Sequence, residues 1–234
     1  MIENVENIKN EDGKFISKVE KPRFSMEVKG EEYRFISKED EDHIEKAIED
    51  IKTFVSEKGG SNTSEEEKLE LQKELGELWD SLGNKDNGYL SQIKYGFVLN
   101  RKQYNLLISL LRDKMEYDIN TLFFAIELTE FLGSTLEEKT FEDDEKPIVF
   151  DLSATDMTYL YTVLSKHVCK GLTSKTYLFS EIIRRIGDIS KVINYYNNIS
   201  TDLSENLIRN WYLTLGDDRV VEENTESVKG EKVG

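Results

Sequence analysis

Two residues of this chain have side chains suited to nucleophilic or base chemistry at neutral pH and lie two apart, His167 and Cys169. A Cys–His pair acts as nucleophile and base when a third group orients the base. Alternate residues rarely point at each other, and no orienting group is evident. A zinc site takes about four ligands, whereas the chain holds 2 His and 1 Cys in total. Cys169 therefore reads as a small buried apolar residue. No Gly-rich phosphate loop, G-x-S-x-G or H-E-x-x-H occurs. With 47 acidic residues, any two carboxylates can be named acid and base, so that signal carries no weight. The expectation is a non-enzyme with no catalytic residue, no cofactor and no metal.

Charge is the more specific signal. The net charge of −16 is unevenly placed. Residues 1–92 contribute −10, residues 133–151 contribute −5, and residues 152–192 are the one positive stretch. Glu67, Glu70, Glu74 and Glu77 recur at spacings of three, four and three. On a helix they form one row, at about 5 Å per step from a rise of ~1.5 Å per residue. Duplex DNA carries one charge per ~1.7 Å of axis. A phosphate-like array would thus need Glu39, Asp42, Glu45 and Glu49, or the loop Glu142-Asp143-Asp144-Glu145, beside that row. The row otherwise reads as a solvated face. The positive stretch supplies Lys166, Lys170, Lys175, Arg184, Arg185 and Lys191. These suit a helix-turn-helix reader with 174–186 in a groove, a dock for an acidic patch, or an ordinary helix surface. Tyr159, Tyr161, Tyr177, Phe179, Tyr195 and Tyr196 read mainly as core packing, and otherwise as a base-stacking platform.

The elements that must position these residues follow from periodicity. Residues 1–21 read as a mobile arm. In 24–36, Phe24, Met26 and Val28 alternate, Lys29-Gly30 interrupts, and Tyr33 and Phe35 alternate again, which predicts a hairpin. Ser37/Asp40 and Ser64/Glu67 are capping pairs before two helices. Ile44, Ala47, Ile48, Ile51, Phe54 and Val55 mark the apolar face of the first; Leu71, Leu75, Leu78 and Leu82 form a seam on the second. The two helices predict an antiparallel helical hairpin, which with the β-hairpin makes one region over 22–83, followed by a linker at 84–92. Residues 93–216 contain an internal repeat of short strand, polar cap, helix, loop and helix. Phe97 aligns with Phe150, Leu107 with Leu160 and Leu111 with Leu164; Asn100/Gln103 and Ser153/Asp156 are the caps. Tyr104, Leu107, Ile108 and Leu111 share one face, and Met157, Leu160, Tyr161 and Leu164 another. Strands 95–99 and 148–152 are expected to pair about a local pseudo-twofold. Thr173 should cap a helix from 174, and a last helix runs from near Asp202 to Leu215. Residues 217–234 read as a disordered acidic tail. The fold class expected is α+β, mostly helical. No apolar run approaches the ~18–20 residues of a membrane span, no signal peptide is evident, and a single cysteine excludes an internal disulfide. The expectation is a soluble, cytoplasmic protein without membrane partners.

The Lys/Asn/Glu/Asp/Tyr-rich style, with EEEKLELQKELGEL and EDDE as its local elements, resembles the acidic early host-takeover proteins of large phages of low-GC bacteria. Some of those are DNA mimics that inhibit host RNA polymerase. The resemblance implies an acidic interaction protein that occupies a basic cleft of a host enzyme in the host cytoplasm and inhibits transcription. It assigns no individual site residue. The alternatives are a phage assembly chaperone or structural component, and a DNA-binding regulator using residues 166–191.

Overall fold

The structure, a computed structural model, describes residues 7–9, 15–17, 21–58, 64–82, 88–113, 117–169 and 171–214. The fold is α+β and mostly helical. Strands β1 (Asn7–Lys9) and β2 (Phe15–Ser17) pair antiparallel. Residues 1–6, 10–14 and 18–20 of the expected arm, and the expected tail at 217–234, lie outside the described residues.

Strands β3 (Ser25–Val28) and β4 (Glu31–Arg34) form the expected hairpin. Lys29 and Gly30 both take left-handed φ, 55° and 82°. That is the type I′ pattern, whose twist matches the flanking strands. Helix α1 (Lys38–Glu57) starts at the Ser37 cap, where the Asp40 amide donates to Ser37 Oγ at 2.9 Å. Helix α2 (Glu65–Leu82) starts at Ser64, whose Oγ accepts from the Glu67 amide while its own amide donates to Glu67 Oε2. Of the expected apolar faces, Ile44, Ile48 and Ile51 of α1 and Leu75 and Leu82 of α2 are buried, while Ala47, Phe54, Val55, Leu71 and Leu78 are half-buried. Residues 88–92, expected as linker, instead hold the short helix α3 (Tyr89–Gln92), with Leu90 buried; residues 83–87 lie outside the described residues.

Strands β5 (Lys94–Leu99) and β6 (Ile148–Ser153) pair antiparallel. Phe97 faces Phe150, flanked by Tyr95 with Leu152 and Leu99 with Ile148. The aligned phenylalanines of the repeat thus meet each other, as a local pseudo-twofold demands. Each strand turns into a helix through a reciprocal cap, α4 (Arg101–Asp113) after β5 and α6 (Ala154–Leu164) after β6. Asn100 Oδ1 accepts from the Gln103 amide at 2.9 Å, and the Asn100 amide donates to Gln103 Oε1 at 3.1 Å. Ser153 and Asp156 repeat the exchange at 3.1 and 2.9 Å. Helix α5 (Ile119–Glu138) follows α4, and α7 (Ser174–Asp202), capped by Thr173, follows α6. Leu107, Leu111, Met157, Leu160 and Leu164 are buried as expected. Tyr161 is a correction, because half of its surface is exposed and Val163 turns inward instead.

The last helix is not a separate element. Helix α7 continues through a π turn, Leu203–Ile208, into α8 (Arg209–Thr214). The Arg209 amide reaches back five residues to the Ser204 carbonyl. Leu203 and Ile208, also five apart, are both buried, as is Trp211. A regular α-turn would rotate one of that pair away from the core.

The chain divides into two compact units, one of Met1–Val19, Glu41–Gln92 and Tyr196–Gly234, the other of Glu20–Asp40 and Ile93–Tyr195. This division cuts across the boundaries drawn from composition, since the β3–β4 hairpin groups with the repeat. The reason lies in backbone contact. The Gly96 amide donates to the Phe35 carbonyl at 2.9 Å, so chain leaving β4 lies along the free edge of β5. β5 is accordingly buried from Tyr95 to Leu99, while β6 is buried at alternate positions. A Cβ on Gly96 would stand 2.5 Å from the Arg34 carbonyl oxygen and 3.0 Å from Val149 Cγ1. Gly96→Ala is therefore expected to destabilise the fold by about 1–3 kcal/mol, measured by urea denaturation. An unchanged midpoint would show that the approach of 34–35 to β5 is not tight.

Candidate functional site

The predicted acidic row forms on α2. Glu67, Glu70, Glu74 and Glu77 are all exposed. Their chemistry differs. Glu67 is held by the Ser64 amide and hydroxyl, at 2.9 and 2.8 Å, and those bonds lower its pKa below the usual 4.5. Glu77 lies 3.9 Å from Lys73 one turn earlier. Glu70 and Glu74 have no ion-pair partner among the described residues. On α1, Glu39, Asp42, Glu45 and Glu49 are exposed too, and Asp42 and Glu45 already interact within the fold.

The acidic loop 142–145 is different. Glu142 pairs with Lys146 at 2.8 Å, and Asp144 with Arg101 at 3.5 Å. Glu145 pairs with Lys29 at the hairpin tip. Asp143 Oδ1 accepts from the amides of Glu145 and Lys146, at 2.7 and 2.5 Å. All four carboxylates thus fasten the loop to the hairpin, to the start of α4 and to itself. Backbone donors lower the pKa of Asp143, and the Lys29 ammonium lowers that of Glu145.

The basic island is smaller than the sequence implies. Arg185 is a correction: it is 6% exposed, so it cannot meet a partner. Its Nη1 donates to the Val98 carbonyl and, at 2.5 Å, to Gln103 Oε1. Gln103, itself buried, donates onward to Glu181 Oε2 at 2.6 Å. Arg185 Nε has no hydrogen-bond partner among the described residues, and burial lowers the pKa of the guanidinium. Lys191 pairs with Asp188 at 3.1 Å. Lys170 lies outside the described residues. Lys166, Lys175 and Arg184 remain exposed, without an ion-pair partner among the described residues.

Cys169 is a second correction, because it is exposed. His167 packs edge-on to Phe179, with ring centroids 5.2 Å apart. Among the described residues no group of three His, Cys, Asp or Glu side chains is placed to hold a metal ion. The aromatic set is dispersed. Tyr159 stacks on Phe124 and its hydroxyl donates to the Thr121 carbonyl at 2.8 Å. Tyr195 packs on Phe24, Tyr196 is buried, and Tyr161 and Tyr177 stand exposed.

Sequence reasoning expected a helix here, as the second helix of the first repeat unit, but missed the exposed apolar face of α5. The helix carries six exposed large apolar side chains, at Ile119, Leu122, Phe123, Phe124, Ile126 and Phe131. The signal was present. Apolar residues surround the helix rather than lining one face, and no Lys or Arg occurs from Tyr117 to Glu138.

No protein-family model, curated protein or solved structure matches the chain. Among the described residues no helix is long and apolar enough to cross a membrane.

Two outcomes follow from these contacts. Glu145 has a depressed pKa, so its link to Lys29 is intact above the usual 4.5 and is lost only as pH falls through the lower folded value. Carboxyl NMR should show Glu145 titrating below 4.5 in the native protein and moving back toward it in Lys29→Met; an unmoved titration would dissociate the loop from the hairpin. Gln103→Leu leaves the Arg185 guanidinium short of a partner and should cost about 1.5–3 kcal/mol. The double variant with Arg185→Met should cost less than the two single losses together. Strict additivity in urea denaturation would show that the pair is not coupled.

Proposed function

We propose that this is a non-enzymatic acidic interaction protein whose α2 carboxylate row occupies a basic, nucleic-acid-binding cleft of another protein. The observation that carries the reading is the state of Glu70 and Glu74, exposed and without an ion-pair partner among the described residues. The chain's cations satisfy the 142–145 loop instead. A carboxylate already paired within its own fold gains little from a second cation. An unpaired row on a helix anchored by Leu75 and Leu82 presents its charge without reorganisation. The loop therefore leaves the proposed contact set, and of the exposed acids of α1 Glu39 and Glu49 join it, since Asp42 and Glu45 already interact within the fold. At about 5 Å per carboxylate the row is sparser than duplex phosphate, so a mimic needs both helices. The resemblance to phage host-takeover proteins makes bacterial RNA polymerase the first partner to test.

The DNA-regulator reading loses ground, since Arg185 is buried and Lys191 is paired. The three exposed, unpaired cations left among the described residues of the island, on a chain of net charge −16, make a weak phosphate footprint.

The decisive measurement is displacement of labelled duplex DNA from a low-GC bacterial RNA polymerase by the full chain. Glu70→Gln with Glu74→Gln should weaken displacement by roughly tenfold at low salt, with less effect at high salt. Displacement untouched by that double variant would remove the row from the interface. No displacement at any salt would reject the polymerase.

A further inference from the structure

The α5 face and the remaining basic island are complementary, and each is open to solvent. On α5, Ile119, Leu122, Phe123 and Ile126 follow the i, i+3, i+4, i+7 spacing of a docking helix. With Phe124 and Phe131 they are between 41% and 71% exposed, while Ala125, Leu128 and Leu132 face the core. The three phenylalanines alone expose ~300 Å², taking about 200 Å² for a whole side chain. That is the scale of the largest apolar patch on an ordinary monomer, and such patches mark interfaces. Glu127, Glu130 and Glu137 rim the same helix, exposed and with no ion-pair partner among the described residues.

The second surface lies at the turn into α7. Lys166, Lys175 and Arg184 are exposed and unpaired among the described residues, and Val168, Leu172 and Tyr177 beside them are 61–83% exposed. It is apolar and cationic where α5 is apolar and anionic. Both surfaces belong to one compact unit and both are solvent-exposed, so neither covers the other within a molecule. The chain ends outside the described residues, 1–6 and 215–234, carry more acids than bases and do not fit an acidic rim.

We propose that these are the two halves of one interface, with α5 of one copy docking on the 166–184 surface of a second copy. Apolar contact supplies the attraction, and the Glu127/Glu130 rim against Lys175/Arg184 sets the register against other pairings. A two-fold dimer makes the contact twice; a head-to-tail arrangement makes it once per junction. The proposal goes beyond the α2 reading and does not rest on it, since neither α1 nor α2 takes part.

The test is sedimentation velocity on the full chain over a range of micromolar concentrations. The wild-type protein should sediment as an oligomer of the 27.2 kDa chain. Phe123→Ser with Ile126→Ser, and separately Lys175→Glu with Arg184→Glu, should each return it to monomer with unchanged circular dichroism. Mixing the two double variants should restore a complex, because one intact half is present on each. Placing Glu127→Lys and Glu130→Lys in the Lys175→Glu/Arg184→Glu chain should restore it too. A wild-type monomer at every concentration overturns the proposal and leaves α5 to a foreign basic segment. Loss in the α5 variant alone overturns it in favour of an α5–α5 contact. An oligomer surviving both variants also overturns it.

Discussion

The Arg185 guanidinium ties the repeat region together. A buried charge is costly unless hydrogen-bonded partners surround it. Here the partners come from three places, the Val98 carbonyl on β5, the Gln103 amide at the start of α4, and Glu181 one turn back on α7 through Gln103. Gln103 does double duty, since the same Oε1 that accepts from Arg185 also accepts from the Asn100 amide to cap α4. A shift of α7 along β5 would strand the charge, so the network acts against alternative registers as well as for the native one. The second half of the repeat has no such requirement. There Ser153 and Asp156 close the equivalent cap without a buried cation.

Around that point the two halves are joined by geometry rather than by charge. Phe97 against Phe150 centres the antiparallel ladder, and Gly96 lets the chain after the hairpin approach β5 on its other side. The hairpin is held at its tip by Lys29 on Glu145 and at its base by the Phe35 carbonyl. Acidic residues therefore play opposite parts in one chain. In the 142–145 loop they are internal fasteners. Glu70 and Glu74 on α2 and Glu127, Glu130 and Glu137 on α5 face water without an ion-pair partner among the described residues. Sequence counts treat these populations alike. Only the positions of Lys29, Arg101 and Lys146 distinguish them.

Much of the architecture was readable in advance because its signals are local. The Lys29-Gly30 turn, the caps at Ser37, Ser64, Asn100 and Ser153, and the leucine seam of α2 each depend on residues within a few positions of one another. The β5–β6 pairing is long-range, yet the repeat made it visible, because similar segments packed about a twofold must meet at equivalent residues. Arg185, Cys169 and Tyr161 were misread for one shared reason. Each residue type has a usual burial, and here a distant neighbour or its absence overrode it. The continuous α7–π–α8 rod was missed because a five-residue spacing matches neither regular period.

The amino-acid sequence by itself determined the element types, the caps, the hairpin turn, the pairing of the two repeat strands and the uneven charge, since periodicity and short-range hydrogen bonding decide all of these. Tertiary structure alone decided which charges remain available. Whether a carboxylate or guanidinium is spent inside the fold depends on groups brought to it from positions as far as 116 residues away, as Glu145 is to Lys29. It likewise decided that one side of α5 is left uncovered, because covering an apolar face requires a neighbouring element whose position no local pattern encodes.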